Sequence, residues 1–244
     1  MLIPLAQSIA RRPPCARLLA RCVAPRFPLP RMACAAAEVD GRAALRDLAP
    51  PLLAANHKGQ AGRIGVVGGC LEYTGAPFFA AYSALRVGAD LAHLFCTRDA
   101  APAIKSYSPE LIVHPCLPDA REVEARGLDA LLVEQLAADT VCDCFPRLNA
   151  LVVGCGLGRD AHVLAVAEAV VRSAIEHGLP LVVDGDGLLL VTRRPQLLTE
   201  RQSQAARVIL TPNVNEYRRL CECVGIAVPG VCCFEQRPGS SPHV

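Results

Sequence analysis

Six short apolar runs punctuate the chain, and stretches long enough for a helix separate them. The runs are Ile64–Val67, Leu91–Phe95, Leu111–Val113, Leu151–Val153, Leu181–Val183 and Val208–Leu210. They are short, mostly continuous and rich in β-branched residues, the pattern of strands covered on both faces rather than half-exposed ones, which would alternate polar and apolar. Between them lie helical patterns, clearest over residues 161–177. There Val163, Ala167, Val170, Ala174 and Ile175 recur on one face, while Arg172 and Glu176 fall elsewhere, and Gly178 and Pro180 stop the helix. Strand and helix in alternation predict an α/β fold built on a mostly parallel central sheet flanked by helices.

The rest of the composition bounds what such a fold does. At 244 residues, 52% of them hydrophobic, the chain suffices for one core of good size. A formal net charge of +2 gives no reason to expect a nucleic-acid partner, and 4% aromatics without tryptophan argue against a base-stacking surface. No apolar run reaches the ~18 residues of a transmembrane helix, so no membrane partner is expected. The thirteen cysteines include the pairs Cys142/Cys144 and Cys221/Cys223 and the adjacent Cys232 and Cys233, but no C-x-x-C, so the spacing is not that of a zinc site. Cys96 and Cys116 sit within apolar runs, where they act as small hydrophobes, and all are read as reduced thiols.

The ends differ from the middle. Between Met1 and Ala37 there are six arginines and no acid, the signature of an organelle transit peptide; a basic tail is the plainer alternative. The expected destination is a mitochondrion or chloroplast, with Met32 as a second start giving a cytosolic form. Past Ile226 the pattern dissolves into prolines, glycines and cysteines without period. The predicted organisation is a leader over 1–43, a globular unit over 44–226 and an irregular tail over 227–244.

Ligands of open parallel sheets bind beyond the carboxyl ends of the strands, and four such places stand out. Gly68–Gly69 and the loop to Gly75–Ala76 allow close backbone approach, with Pro77 opening a helix. This loop is neither a Walker A nor a G-x-G-x-x-G sequence, and a tight strand–helix turn explains it equally well. In VVGCGLGRD, residues 152–160, Gly154, Gly156 and Gly158 permit approach of a phosphate or sugar. In VVDGDGLLLV, Asp184 and Asp186 suit water-mediated Mg²⁺, a ribose hydroxyl, or merely an Asp-Gly turn. In ILTPNVNEYRRL, Asn213 and Glu216 form a capping box, and Glu216 also suits ordering water around a Mg²⁺–phosphate; both roles can hold together. His57, His93 and His114 adjoin no nucleophile in a triad pattern and are read as structural.

Taken in order, HKGQAGRIGVVGGCLEYTGAPFFAAYSALRVGADLAHLFC, AIKSYSPELIVHP, LNALVVGCGLGRD, LVVDGDGLLLV and LTPNVNEYRRL resemble the ATP-dependent NAD(P)H-hydrate dehydratases over residues 56–220. The resemblance implies a ribokinase-like fold and repair of the S-form of hydrated NADH or NADPH: ATP (or ADP) phosphorylates the added hydroxyl with Mg²⁺, and loss of phosphate restores the ring. It implies substrate contacts at Ala76, Gly156 and Gly158 and along Asn213, Val214, Asn215, Glu216, Tyr217, Arg218 and Arg219, with Glu216 near the metal through water. It allows a homo-oligomer. Cys155 stands where the family commonly has proline, and Gly185 where it has alanine. The family's K-G-x-x-D and G-x-G-D stretches are absent from these 244 residues, so no catalytic residue is assigned. The expectation is a truncated, weakly active or inactive product whose sheet ends at Val208–Leu210 or its neighbour. A small-molecule kinase of the same fold and a non-catalytic nucleotide-binding remnant are the alternatives.

Overall fold

The computed structural model describes residues 54–55, 57–198 and 207–226. The leader over 1–43, the second start at Met32 and the tail over 227–244 lie outside the described residues. All six apolar runs form strands: β1 (Arg63–Val67), β2 (Leu91–Thr97), β3 (Ile112–Leu117), β4 (Ala150–Val153), β5 (Leu181–Val183) and β6 (Val208–Leu210). Every pairing is parallel, and the order across the sheet is β3-β2-β1-β4-β5-β6.

The helices are α1 (Gly75–Val87), α2 (Ala101–Tyr107), α3 (Ala120–Arg126), α4 (Ala130–Cys142), α5 (Ala161–Glu176), α6 (Asp186–Arg193) and α7 (Val214–Cys223). Local chemistry sets their ends. Asp160 caps α5 by accepting from the His162 and Val163 amides, and Asp129 caps α4 through the Leu131 and Leu132 amides. Beyond α5, Gly178 adopts φ +67°, which ends the helix.

Side chains alternate across the sheet. Val66, Leu94 and Cys96 pack under α1 and α2 with Ala81, Ala101 and Ile104. Val67, Phe95, Leu151, Val153, Leu181 and Val183 point the other way, onto Val163, Ala167, Val170 and Ala174 of α5. Among the described residues, α1 and α2 do not extend over β5 and β6: Val182 is half-buried and Ile209 is 59% exposed.

One strand departs from expectation. The third apolar run was placed at Leu111–Val113, whereas β3 continues through Pro115 to Leu117. Proline removes a ladder donor and argues against a central strand, but β3 lies at the sheet edge, where it is tolerated. The ladder also shifts there: Cys96 pairs with Pro115 and Thr97 with Leu117.

The parallel register joins two histidines that stand apart in sequence. His93 Nδ1 lies 3.0 Å from His114 Nε2, and the His114 ring stacks on Phe95 at 4.7 Å. Both imidazoles titrate below the ordinary histidine range. For His93 the main cause is burial, then the charge of His114 and of Arg147 and Arg63; for His114 it is burial, then Arg147 and Lys105. The unfolded chain titrates normally, near about 6.5. Below that value the unfolded state binds protons that the native state refuses, so stability held at neutral pH is lost as pH falls through the folded-state values. The melting temperature should therefore drop on acidification, and a His93→Gln/His114→Gln variant should flatten that slope. An equally steep profile in the variant would assign the acid sensitivity to other groups.

Candidate active site

The strand order reverses between β1 and β4. Such a reversal opens a crevice at the carboxyl ends of the two strands, because their following loops turn to opposite faces. Both glycine loops noted in the sequence sit there. The Gly68 amide donates to the Phe95 carbonyl at 2.9 Å and the Gly69 amide to the Gly156 carbonyl at 3.1 Å. A Cβ at Gly68 would overlap the Cys155 carbonyl oxygen, so the two loops touch backbone to backbone. Gly154 adopts φ +123°, donates to the Val67 carbonyl at 3.0 Å and accepts from the Asp186 amide at 3.2 Å. Three strand-end loops are thereby interlocked through their main chains.

A cleft of about 970 Å³ opens over this junction. Ala76, Gly156, Gly158, Glu216 and Arg219 all line it. Ala76 is exposed in the first turn of α1, whose N-terminus carries no side-chain cap and no acid. The hydroxyl of Thr74, the natural capping candidate, bonds instead to Tyr107 Oη at 2.8 Å. The Gly75 and Ala76 amides at the start of α1 are therefore left without a side-chain cap at the cleft rim, which suits an anionic ligand group.

The two aspartates brace neighbouring loops. Asp184 accepts from Thr211 Oγ1 at 2.7 Å and from the Cys155 thiol at 3.5 Å, tying the ends of β4, β5 and β6 together. Burial, then the charge of Asp184, pushes the Cys155 thiol up to about 12, so it remains a protonated donor. Asp186 accepts from the Gly158 amide at 3.0 Å, fixing the glycine loop at the cleft wall.

The capping box is present. Asn213 Oδ1 accepts from the amides of Asn215 and Glu216 at 3.0 and 3.1 Å, and Glu216 Oε2 accepts from the Asn213 amide at 2.8 Å. Glu216 also faces the cleft, so its structural role does not displace it from the site. Asn213, Val214, Asn215, Tyr217 and Arg218 are outside the lining, whereas Glu216 and Arg219 are in it. The reason is the helix: positions three apart share a face, while Val214, Asn215 and Arg218 are turned to solvent.

Glu72, Tyr73, Arg159 and Arg193 also line the cleft, although the sequence reading did not single them out. The signal for Arg159 was its place directly after the last loop glycine. Among the described residues, no three His, Cys, Asp or Glu side chains gather as a metal cage. Asp184, Asp186 and Glu216 are each engaged by a neighbour.

Residues 64–236 match the family model described as NAD(P)H-hydrate dehydratase. The chain belongs to this family. It is 50% identical over 189 residues to the ATP-dependent (S)-NAD(P)H-hydrate dehydratase of Vitis vinifera, a match covering 78% of this chain and 52% of the relative. It is 49% identical over 194 residues to the protein of that name from Batrachochytrium dendrobatidis, covering 78% and 59%. The chain thus spans little more than half the length of these relatives. Among solved structures, it resembles a hypothetical protein of Streptococcus mutans with a TM-score of 0.54 at 24% identity, covering 73% of this chain and 55% of that one. It also resembles a ribokinase-like superfamily protein of Enterococcus faecalis V583 with a TM-score of 0.51 at 19% identity, covering 73% and 54%. The fold is the ribokinase-like one that the sequence motifs implied.

Proposed function

We propose that the chain binds the S-form of hydrated NADH or NADPH in this cleft and serves its ATP-dependent dehydration. The observation that carries the reading is the meeting of the uncapped α1 amides, the Gly156–Gly158 loop and the Glu216/Arg219 face at the switch point of a chain in this family. The chemistry fits the substrate. Hydroxide leaves poorly, so transfer of a phosphoryl group from ATP to the ring hydroxyl turns it into a phosphate; loss of that phosphate with a ring proton restores the double bond. Mg²⁺ would arrive with the ATP phosphates and neutralise their charge. The family's ATP requirement extends to this chain as part of the proposal, with ADP as an alternative donor. In this chain, the α1 amides and Arg159 hold anionic parts of the dinucleotide, while the interlocked glycine loops let it approach the backbone closely. The arginine-rich, acid-free N-terminus supports delivery to a mitochondrion or chloroplast.

The test combines binding with turnover. The chain is titrated with hydrated NADH and NADPH, then mixed with ATP and Mg²⁺ while phosphate release and recovered NADH are followed. Saturable binding together with NADH recovery supports the reading. A stable phosphorylated product without recovery would make the chain a kinase of the same fold, and absence of hydrated-dinucleotide binding would overturn the proposal.

A further inference from the structure

A second crevice, of about 360 Å³, lies on the β2 side of the glycine loop. It shares a rim with the main cleft, because Glu72, Gly158 and Arg159 line both. Thr97, the last residue of β2, belongs to its lining. Thr97 is 3% exposed, and its Oγ1 is enclosed without a hydrogen-bond partner among the described residues. A native fold rarely leaves a hydroxyl in that state unless something else visits it.

Most other charged groups of the crevice are committed. Asp160 caps α5 and also accepts from the Ala120 amide at 3.0 Å. Asp119 caps α3, and Arg121 bridges Asp99 and Asp119. By contrast, Arg159 is exposed and has no hydrogen bond or ion pair among the described residues. Among the described residues, Glu72 receives only the Cys70 thiol, at 3.3 Å. The crevice therefore offers a ligand one enclosed hydroxyl, one carboxylate and, on the shared rim, one free guanidinium.

We propose that this crevice is a second arm of the dinucleotide site and takes the adenosine ribose. Its hydroxyls meet Thr97 and Glu72, and the pyrophosphate crosses the rim against Arg159. The proposal rests on the dinucleotide reading of the main cleft. It also sets a preference. The acids Glu72, Asp119 and Asp160 outnumber the cations Arg121 and Arg159 in this lining. A carboxylate accepts from a free 2′-hydroxyl and repels a 2′-phosphate, so the arm favours the NADH form over the NADPH form.

The full chain is titrated with ADP-ribose, NADH, NADPH and nicotinamide mononucleotide. NADH should bind about tenfold tighter than NADPH, a preference that Glu72→Gln narrows. Thr97→Val removes a hydroxyl that has no partner to lose, so its melting temperature should hold while ADP-ribose weakens about 3- to 10-fold. Arg159→Ala, at an exposed position, should weaken ADP-ribose about tenfold, and Thr97→Val should bind nicotinamide mononucleotide as before. Unchanged ADP-ribose affinity in both variants, or mononucleotide binding without ADP-ribose binding, overturns the ribose arm and leaves the main-cleft reading standing. Thr97-dependent ADP-ribose binding without any binding of the mononucleotide or hydrated dinucleotide keeps the arm and overturns that reading. No binding by any probe overturns both.

Discussion

Gly154→Ala is expected to destabilise the fold by about 3–5 kcal/mol, near the upper end for a single substitution. Two causes add. Gly154 holds φ +123°, a backbone angle that side chains disfavour. In addition, a Cβ there would overlap the Asp184 carbonyl oxygen and lie 2.6 Å from the Gly187 nitrogen. Neither obstacle is a flexible side chain. The Asp184 amide is tied to the Val153 carbonyl at 3.0 Å, and the Gly187 amide to the Asp184 carbonyl at 2.9 Å, so relief requires prising β5 from β4. Gly88 supplies the control, with φ +122° and nothing within 4 Å of a built Cβ. Gly88→Ala bears the backbone term alone, about 1–2 kcal/mol. Denaturant midpoints of the two variants separate strain from overlap. Equal losses would mean that the strand-end loops are not locked together as the contacts indicate.

Which parts of this architecture were legible beforehand follows from what periodicity encodes. Apolar runs mark strands wherever both faces are covered, which is why β1, β2 and β4 emerge close to their observed bounds; β5 and β6 keep the same apolar pattern although Val182 is half-buried and Ile209 exposed. The far half of β3 escapes because Pro115 reads as a breaker until its position at the sheet edge is known. Strand order is silent in the sequence, since the crossovers are compatible with more than one neighbour; yet that order places the glycine loops at one switch point. Glycines at strand ends announce a loop that something approaches closely. They do not say whether the something is ligand or backbone, and here Gly68 and Gly154 serve backbone while Gly156 and Gly158 also face the cleft. Polar loop residues are mute for the same reason. Asp184 and Asp186 allowed metal, sugar or turn, and their observed work as braces depends on Thr211, Cys155 and Gly158 arriving from other strands. Thr97 and Glu72 gain meaning only through the crevice they share.

Ala76→Leu tests the cleft without touching the core. Ala76 is exposed at the second position of α1 and lines the cleft beside amides that no side chain caps. Leucine is a good helix former, and an exposed change of this kind costs about 0.5 kcal/mol or less, so the melting temperature should hold. Binding should not. The larger side chain covers the approach to those amides, and a displacement of about 1 Å in a positioned ligand can cost up to about 10²-fold. A loss of at least about tenfold in affinity for hydrated NADPH is therefore expected. Val87→Ala, at the far end of the same helix and 90% exposed, should leave affinity unchanged. Because the two substitutions share a helix but not an end, weakening by both would point to a disturbed α1. Weakening by Ala76→Leu alone would locate the ligand at the α1 N-terminus. Full affinity in a well-folded Ala76→Leu variant would mean that the dinucleotide enters elsewhere, and the anion-binding role given to α1 would fall.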